Sequence, residues 1–369
     1  MDAGPITLFL CGDVMLGRGV DQILPHPGDP ALRERYVTDA RTYVELAEAA
    51  NGPIPWPVGF GWPWGDALEV LGAAAPDAAV INLETGVTRG GEFAPGKGVH
   101  YRMTPDNLPA LAAARPDVCA LANNHVLDFG RRGLVETLDA LAEAGLRTAG
   151  AGRDAAEAER PAIVPTGPGR VLVLSFAMPT SGVPPGWAAA RRRSGVAVVA
   201  EPSAAAAARL TDRVRGLKRP GDIVVASVHW GPNWGYRVSR DEARFAHALI
   251  DGGVDVVHGH SSHHPRPAEL YRGKLVLYGC GDAVNDYEGI SGYEPYRDDL
   301  RLLYLVSVEP ATGLAAEVRM VPFQARRMRL RYAAYEAVEW LADVLSDVGR
   351  EVGSRVDRAP DGALLLRPR

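Results

Sequence analysis

Five apolar runs in this chain each stop at a residue able to bind a metal ion, and that recurrence limits the fold more than any other feature. Ile6-Thr-Leu-Phe-Leu leads to Gly12-Asp13, Ala78-Ala-Val-Ile to Asn82-Leu83-Glu84, and Val118-Cys-Ala-Leu-Ala to Asn123-Asn124-His125. Ile223-Val-Val-Ala-Ser-Val ends at His229, and Val254-Asp-Val-Val reaches His258-Gly259-His260. Short apolar runs of this length read as strands buried on both faces. Helical patterns lie between them. Leu32, Tyr36, Val37, Ala40, Tyr43, Val44 and Ala47 mark one apolar stripe, and Leu134, Leu138 and Leu141 mark another that Gly145 closes. A third helix begins near Asp241. Strand and helix alternate, which predicts an α/β layered fold with its ligands at the carboxyl edge of the sheet.

Composition narrows the function. With 369 residues, 47% of them hydrophobic, the chain can bury a large core, so disorder and fibrous structure are excluded. Its 40 basic and 45 acidic residues give a formal charge of −5 and no electrostatic argument for nucleic acid or an anionic membrane. Three scattered cysteines, Cys11, Cys119 and Cys280, suit a reducing compartment. Met1 to Gly4 carries no basic leader, and no run reaches the ~18 apolar residues of a membrane span. The expectation is a soluble, cytoplasmic protein without a membrane anchor.

Six of the nine histidines fall between His229 and His264, five of them being His229, His258, His260, His263 and His264. Burying imidazoles together is costly without a shared cation, so His258, His260 and His263 point to function rather than packing. His247 and His26 read as structural or surface residues. Asp13, Glu84, Asn124, His229, His258 and His260 form a mixed oxygen and imidazole ligand set that suits divalent Zn, Mn, Fe, Mg or Ca in a dinuclear site. A lone strand-end Asp, by contrast, is more often a helix cap than a ligand. Asn51 to Gly65, with Trp56, Trp62 and Trp64, reads as a loop packed over a surface or lining a pocket. Pro179 to Arg193 is a second irregular stretch whose Arg191-Arg192-Arg193 reads as a solvated loop, with an anion contact as the alternative.

Gly12-Asp13-Val-Met-Leu-Gly17-Arg18, Asn82-Leu83-Glu84, Ala122-Asn123-Asn124-His125, His229-Trp230-Gly231 and His258-Gly-His-Ser-Ser-His-His-Pro265 resemble the CapA (PgsA) poly-γ-glutamate biosynthesis family of the calcineurin-like metallophosphatase superfamily. Tyr278-Gly-Cys-Gly-Asp282 and Tyr296-Arg297-Asp298-Asp299 extend the resemblance over roughly residues 6–305. It implies a four-layer α/β/β/α sandwich of calcineurin-like metallophosphoesterase type with a dinuclear metal centre at the strand ends. One catalytic domain over 1–325, with insertions near 51–65 and 179–193, is expected to carry a C-terminal helix and tail over 326–369.

The departures from the superfamily pattern govern the expected chemistry. Met15 stands where the Asp-x-His motif has its imidazole, and Glu84 replaces the usual aspartate as a longer carboxylate able to bridge. The sequence therefore predicts a metal-dependent enzyme on a peptide substrate, with a precursor-peptide-binding protein as a partner: a soluble CapA-like epimerase of the lasso-peptide kind, in which Asp13, His125, His229 and His263 supply ligands and bases for proton transfer at Cα. The alternatives are a phosphoesterase or amide hydrolase with a metal-activated water, and a component of poly-γ-glutamate biosynthesis. Arg18, Lys97, His100 and Arg102 are expected to neutralise a substrate carboxylate or phosphate. Trp230, Asn233, Trp234 and Tyr236 are expected to line its pocket, with Tyr287 and Glu288 behind them.

Overall fold

In the computed structural model, residues 4–167 and 169–369 are described; Met1 to Ala3, on which the reading of the N-terminus rests, lie outside them. The five apolar runs are all strands, and two sheets share them. Ile6–Val14, Ala78–Leu83 and Val118–Ala120 run parallel in a ten-stranded sheet, while Ile223–His229 and Val256–His260 run parallel in a six-stranded one.

Alternation along the strands builds the layers. Ile6, Leu8 and Leu10 point to one side of the first sheet and meet Val171, Val173, Val225 and Val256 of the second, so two sheets bury a common core. Phe9 and Cys11 point the other way, into a core with the helices Arg41–Asn51, Ala67–Ala74 and Gly130–Glu143. On the far side Leu172, Leu174, Val224 and Val228 pack under Ala204–Leu217 and Arg240–Asp251. The result is a mixed α/β fold with the α/β/β/α layering that the resemblance implied. These five strands are buried on both faces, which is why the runs read as continuous apolar segments rather than alternating ones.

Three segments differ from the sequence reading. The stripe from Leu32 to Ala47 is helical only from Arg41, because the Asp39 carboxylate accepts the Arg41 amide at 2.9 Å and Ala31 bridges back to Asp39. Within the stretch 326–369 expected as helix and tail, Leu330–Tyr332 is a strand and the helix runs Tyr335–Val348. The segment expected as a polar tail forms Ser354–Arg358 and Leu364–Pro368, a hairpin that extends the first sheet beyond Ala315–Ala325. The tryptophan loop is pinned by Trp64, whose indole donates to the Ala110 carbonyl, and by Trp62, which donates to that of Arg327; Trp56 stays exposed. Among the described residues, no helix is long and apolar enough to cross a membrane.

Candidate metal centre

The carboxyl ends of both sheets' parallel strands converge on one edge. Asp13 ends the first strand, and a local register shift after Cys11 turns it into the site. Gly12 makes that possible: a Cβ there would stand 1.8 Å from the Gly281 carbonyl oxygen. The close approach lets Asp282–Val284 pair in parallel with the first strand, placing Asp282 opposite Asp13. In the second sheet His229 and His260 are register partners, and their Nδ1 atoms lie 2.8 Å apart.

Two groups of ligand atoms result, each lying within 4.8 Å of one another: Asp13, His229 and His260, and Asp13, His263 and Asp282. Asp13, rather than Glu84, is the carboxylate common to both. Asn124 Oδ1 joins the first group through His229 Nε2 at 2.9 Å, and Glu84 Oε1 stands 3.7 Å from the same nitrogen. Asn82 holds the carboxylates in place, donating to Asp13 at 2.8 Å and to Glu84 at 3.0 Å. His263 Nδ1 meets Asp282 at 2.9 Å, and Asn233 meets His263 Nε2 at 3.0 Å.

These residues fit divalent ions. Burial, reinforced by the Asp282 charge, pushes the Asp13 carboxyl up to about 7, and burial with the Asp13 charge raises Glu84 well above the usual carboxylate range. Burial also drives His229 and His260 well below the ordinary histidine value, so both offer neutral lone pairs. At His263 burial opposes the charge, but Asp282 and Asp13 outweigh it and the pKa rises. Crowded buried carboxylates beside neutral imidazoles make a donor set that a dication relieves.

His258 stands apart from both groups. Its Nε2 faces the Cys11 carbonyl at 2.8 Å and its Nδ1 faces Ser227 Oγ at 3.2 Å, which ties the two sheets together. His125 Nδ1 meets Asp128 Oδ2 at 2.7 Å, with the Lys97 ammonium 3.1 Å away, and its Nε2 faces Glu84 at 3.8 Å.

Residues 7–287 match the family model described as bacterial capsule synthesis protein PGA_cap. The chain belongs to this family. A Mycobacterium tuberculosis relative, described as a probable polyglutamine synthesis accessory protein, is 55% identical over 365 residues, covering 98% of this chain and 96% of its own. The PGA biosynthesis protein CapA of Bacillus subtilis is 27% identical over 300 residues, 81% of this chain and 67% of that one. The capsule biosynthesis protein CapA of Bacillus anthracis is 24% identical over 290 residues, 76% and 60%.

Within this PGA_cap chain the expected substrate contacts divide. Lys97 and Asn233 do reach the site, and Trp234 and Tyr236 stand at its margin, stacked or edge-on against His264. Arg18 does not reach it: its guanidinium is buried against Asp286 and Glu34 and lies over the Tyr43 and Tyr101 rings. His100 is buried beside Phe93 and Phe129, Arg102 packs over Phe129, and Trp230 is a core residue donating to the Tyr278 carbonyl. Asp282, Asp128 and Asn82 were missing from the expected site. Gly281-Asp282 repeats the Gly12-Asp13 pattern, a signal that could have identified the first. Asp128 follows His125 by three residues, and only the turn between them brings the carboxylate back.

Proposed function

We propose that this protein acts in the synthesis of a bacterial poly-amino-acid of the poly-γ-glutamate type, as a metal-dependent accessory enzyme that processes amide bonds of the polymer. What carries the reading is the sharing of Asp13 between two ligand groups at the edge where Asn124 and His125 also arrive. The names of the relatives favour polymer synthesis over the peptide-epimerase expectation. Asp13, His229, His260 and Asn124 would hold one divalent ion, and Asp13, His263 and Asp282 the other. Such a pair supplies positive charge to a carbonyl oxygen and an acidified water.

The chain's own residues supply proton handling and orientation. Because Asp128 accepts from Nδ1, that nitrogen carries the hydrogen and His125 Nε2 presents its lone pair toward Glu84. Burial, with Lys97 beside it, lowers the His125 pKa to about 4, which keeps the ring neutral. Asn82 fixes the carboxylates, and Asn233 fixes the His263 ring.

Poly-γ-glutamate incubated with metal-loaded protein should change in chain length, and the His260→Ala variant should leave it unchanged. Deuterium entering Cα from heavy water with no change in length would replace this reading with epimerisation. No change by either measure, with metal bound, would remove the catalytic assignment.

A further inference from the structure

Arg191-Arg192-Arg193 is a motif that the metal centre leaves unused. It forms the tip of a tight turn in which Ala190 and Arg193 exchange both backbone hydrogen bonds, at 2.9 and 3.1 Å, and all three arginines are exposed. The turn belongs to a segment that starts at the metal centre. Ser181 Oγ donates to the His229 carbonyl at 3.0 Å, and a Cβ on Gly182 would lie 3.6 Å from Asn124 Nδ2. Farther along, the Lys97 ammonium sits over the Trp187 ring, 5.2 Å from its centre, and Arg131 donates to the Gly186 carbonyl at 2.8 Å.

The charge at this segment is uncompensated. Arg131, Arg191, Arg192 and Arg193 form no ion pair among the described residues, whereas Arg153, on the neighbouring turn that bonds to Ala190, pairs with both Asp139 and Glu157. Arg131 Nη1 is buried without a hydrogen-bond partner. Burial and the Arg193 charge lower the Arg131 pKa, the sign of a cation lacking an anion.

We infer that this segment is a docking strip for a polycarboxylate chain, which lies along the arginine turn and passes Trp187 to reach the metal centre. The inference rests on the proposed role in polymer synthesis and sharpens it: the polymer carries free carboxylates, as poly-γ-glutamate does, and not the neutral carboxamides of polyglutamine. Guanidinium forks suit carboxylates, and exposed pairs that are individually weak add up along a polymer in a salt-dependent way.

The test uses the full chain carrying His260→Ala, so that binding is read without turnover. Fluorescence anisotropy of labelled poly-γ-glutamate should show binding that weakens as salt rises. Converting Arg191, Arg192 and Arg193 together to Glu in that protein should weaken it by about tenfold or more, because each reversal replaces attraction with repulsion. Those side chains are exposed, and unchanged circular dichroism and melting would confirm an intact fold. Equal binding of polyglutamine, equal binding of single-stranded DNA of matched charge, or no loss in the triple variant would each overturn the proposal. Binding that passes these tests while metal-loaded wild type leaves the polymer unchanged would sustain the docking strip and sink the catalytic reading instead.

Discussion

Asp13 and Asp282 face each other as register partners on adjacent parallel strands, 269 positions apart in the chain, and the second carboxylate raises the pKa of the first. Two buried carboxylates side by side repel unless a cation lies between them. Because Asp13 alone belongs to both ligand groups, the two aspartates differ in consequence. Asp282→Asn should lower metal content from two ions per chain to one, and Asp13→Asn should remove both, as read by elemental analysis after dialysis. Two ions retained in Asp282→Asn would contradict the assignment.

Metal uptake should depend on pH with a defined sign. The Asp13 carboxyl is pushed up to about 7, so below that pH a proton occupies the ligand and competes with the ion. At the ion held with His229 and His260 the imidazoles are already neutral and add no competition in this window, whereas at the other ion His263, its pKa raised by Asp282 and Asp13 against the effect of burial, adds a second competing proton. Affinity should therefore fall by up to about tenfold per pH unit below 7 for one competing proton, and level off above it. Titration against a chelator at pH 8, 7 and 6 measures this; affinity flat across that range would contradict it.

His258 should behave as a structural residue. Both its ring nitrogens are engaged inside the protein, bridging Cys11 to Ser227 across the two sheets. His258→Ala should cost about 1–3 kcal/mol by leaving those buried groups unpaired, with metal content preserved. His260→Ala should lose metal, and because it also removes the buried contact of His260 Nε2 with Ser227 Oγ at 2.9 Å, metal content rather than stability distinguishes the two. Metal analysis alongside denaturant melts checks this, and loss of metal in His258→Ala would restore it to the ligands.

Arg18 should matter for stability rather than for substrate. Removing a buried guanidinium strands the Asp286 and Glu34 carboxylates that it neutralises, which costs about 3–5 kcal/mol in comparable buried pairs. Arg18→Met should lower the unfolding free energy strongly, while any folded fraction binds poly-γ-glutamate as wild type does. A selective loss of polymer binding with stability unchanged would place Arg18 in the site after all.

The strands and the chemistry of their ends are legible in local sequence alone. An apolar run closed by Asp13, Asn82 to Glu84, Asn124, His229 or His260 is a local pattern, since burial on both faces requires a continuous apolar segment and the strand end is where polar groups reach the surface. The layering followed from alternation and the resemblance. Which end residues become neighbours was decided by the tertiary structure. The two sheets meet so that His229 and His260 face Asp13, while the parallel pairing across Gly12 and Gly281 brings in Asp282. The same packing turns His258 toward Cys11 and buries Arg18 against Asp286, contacts over separations of 247 and 268 residues. Residue type reveals what a side chain can do; only the closure of two sheets on one another decides whether it meets a cation, a carboxylate or a backbone carbonyl.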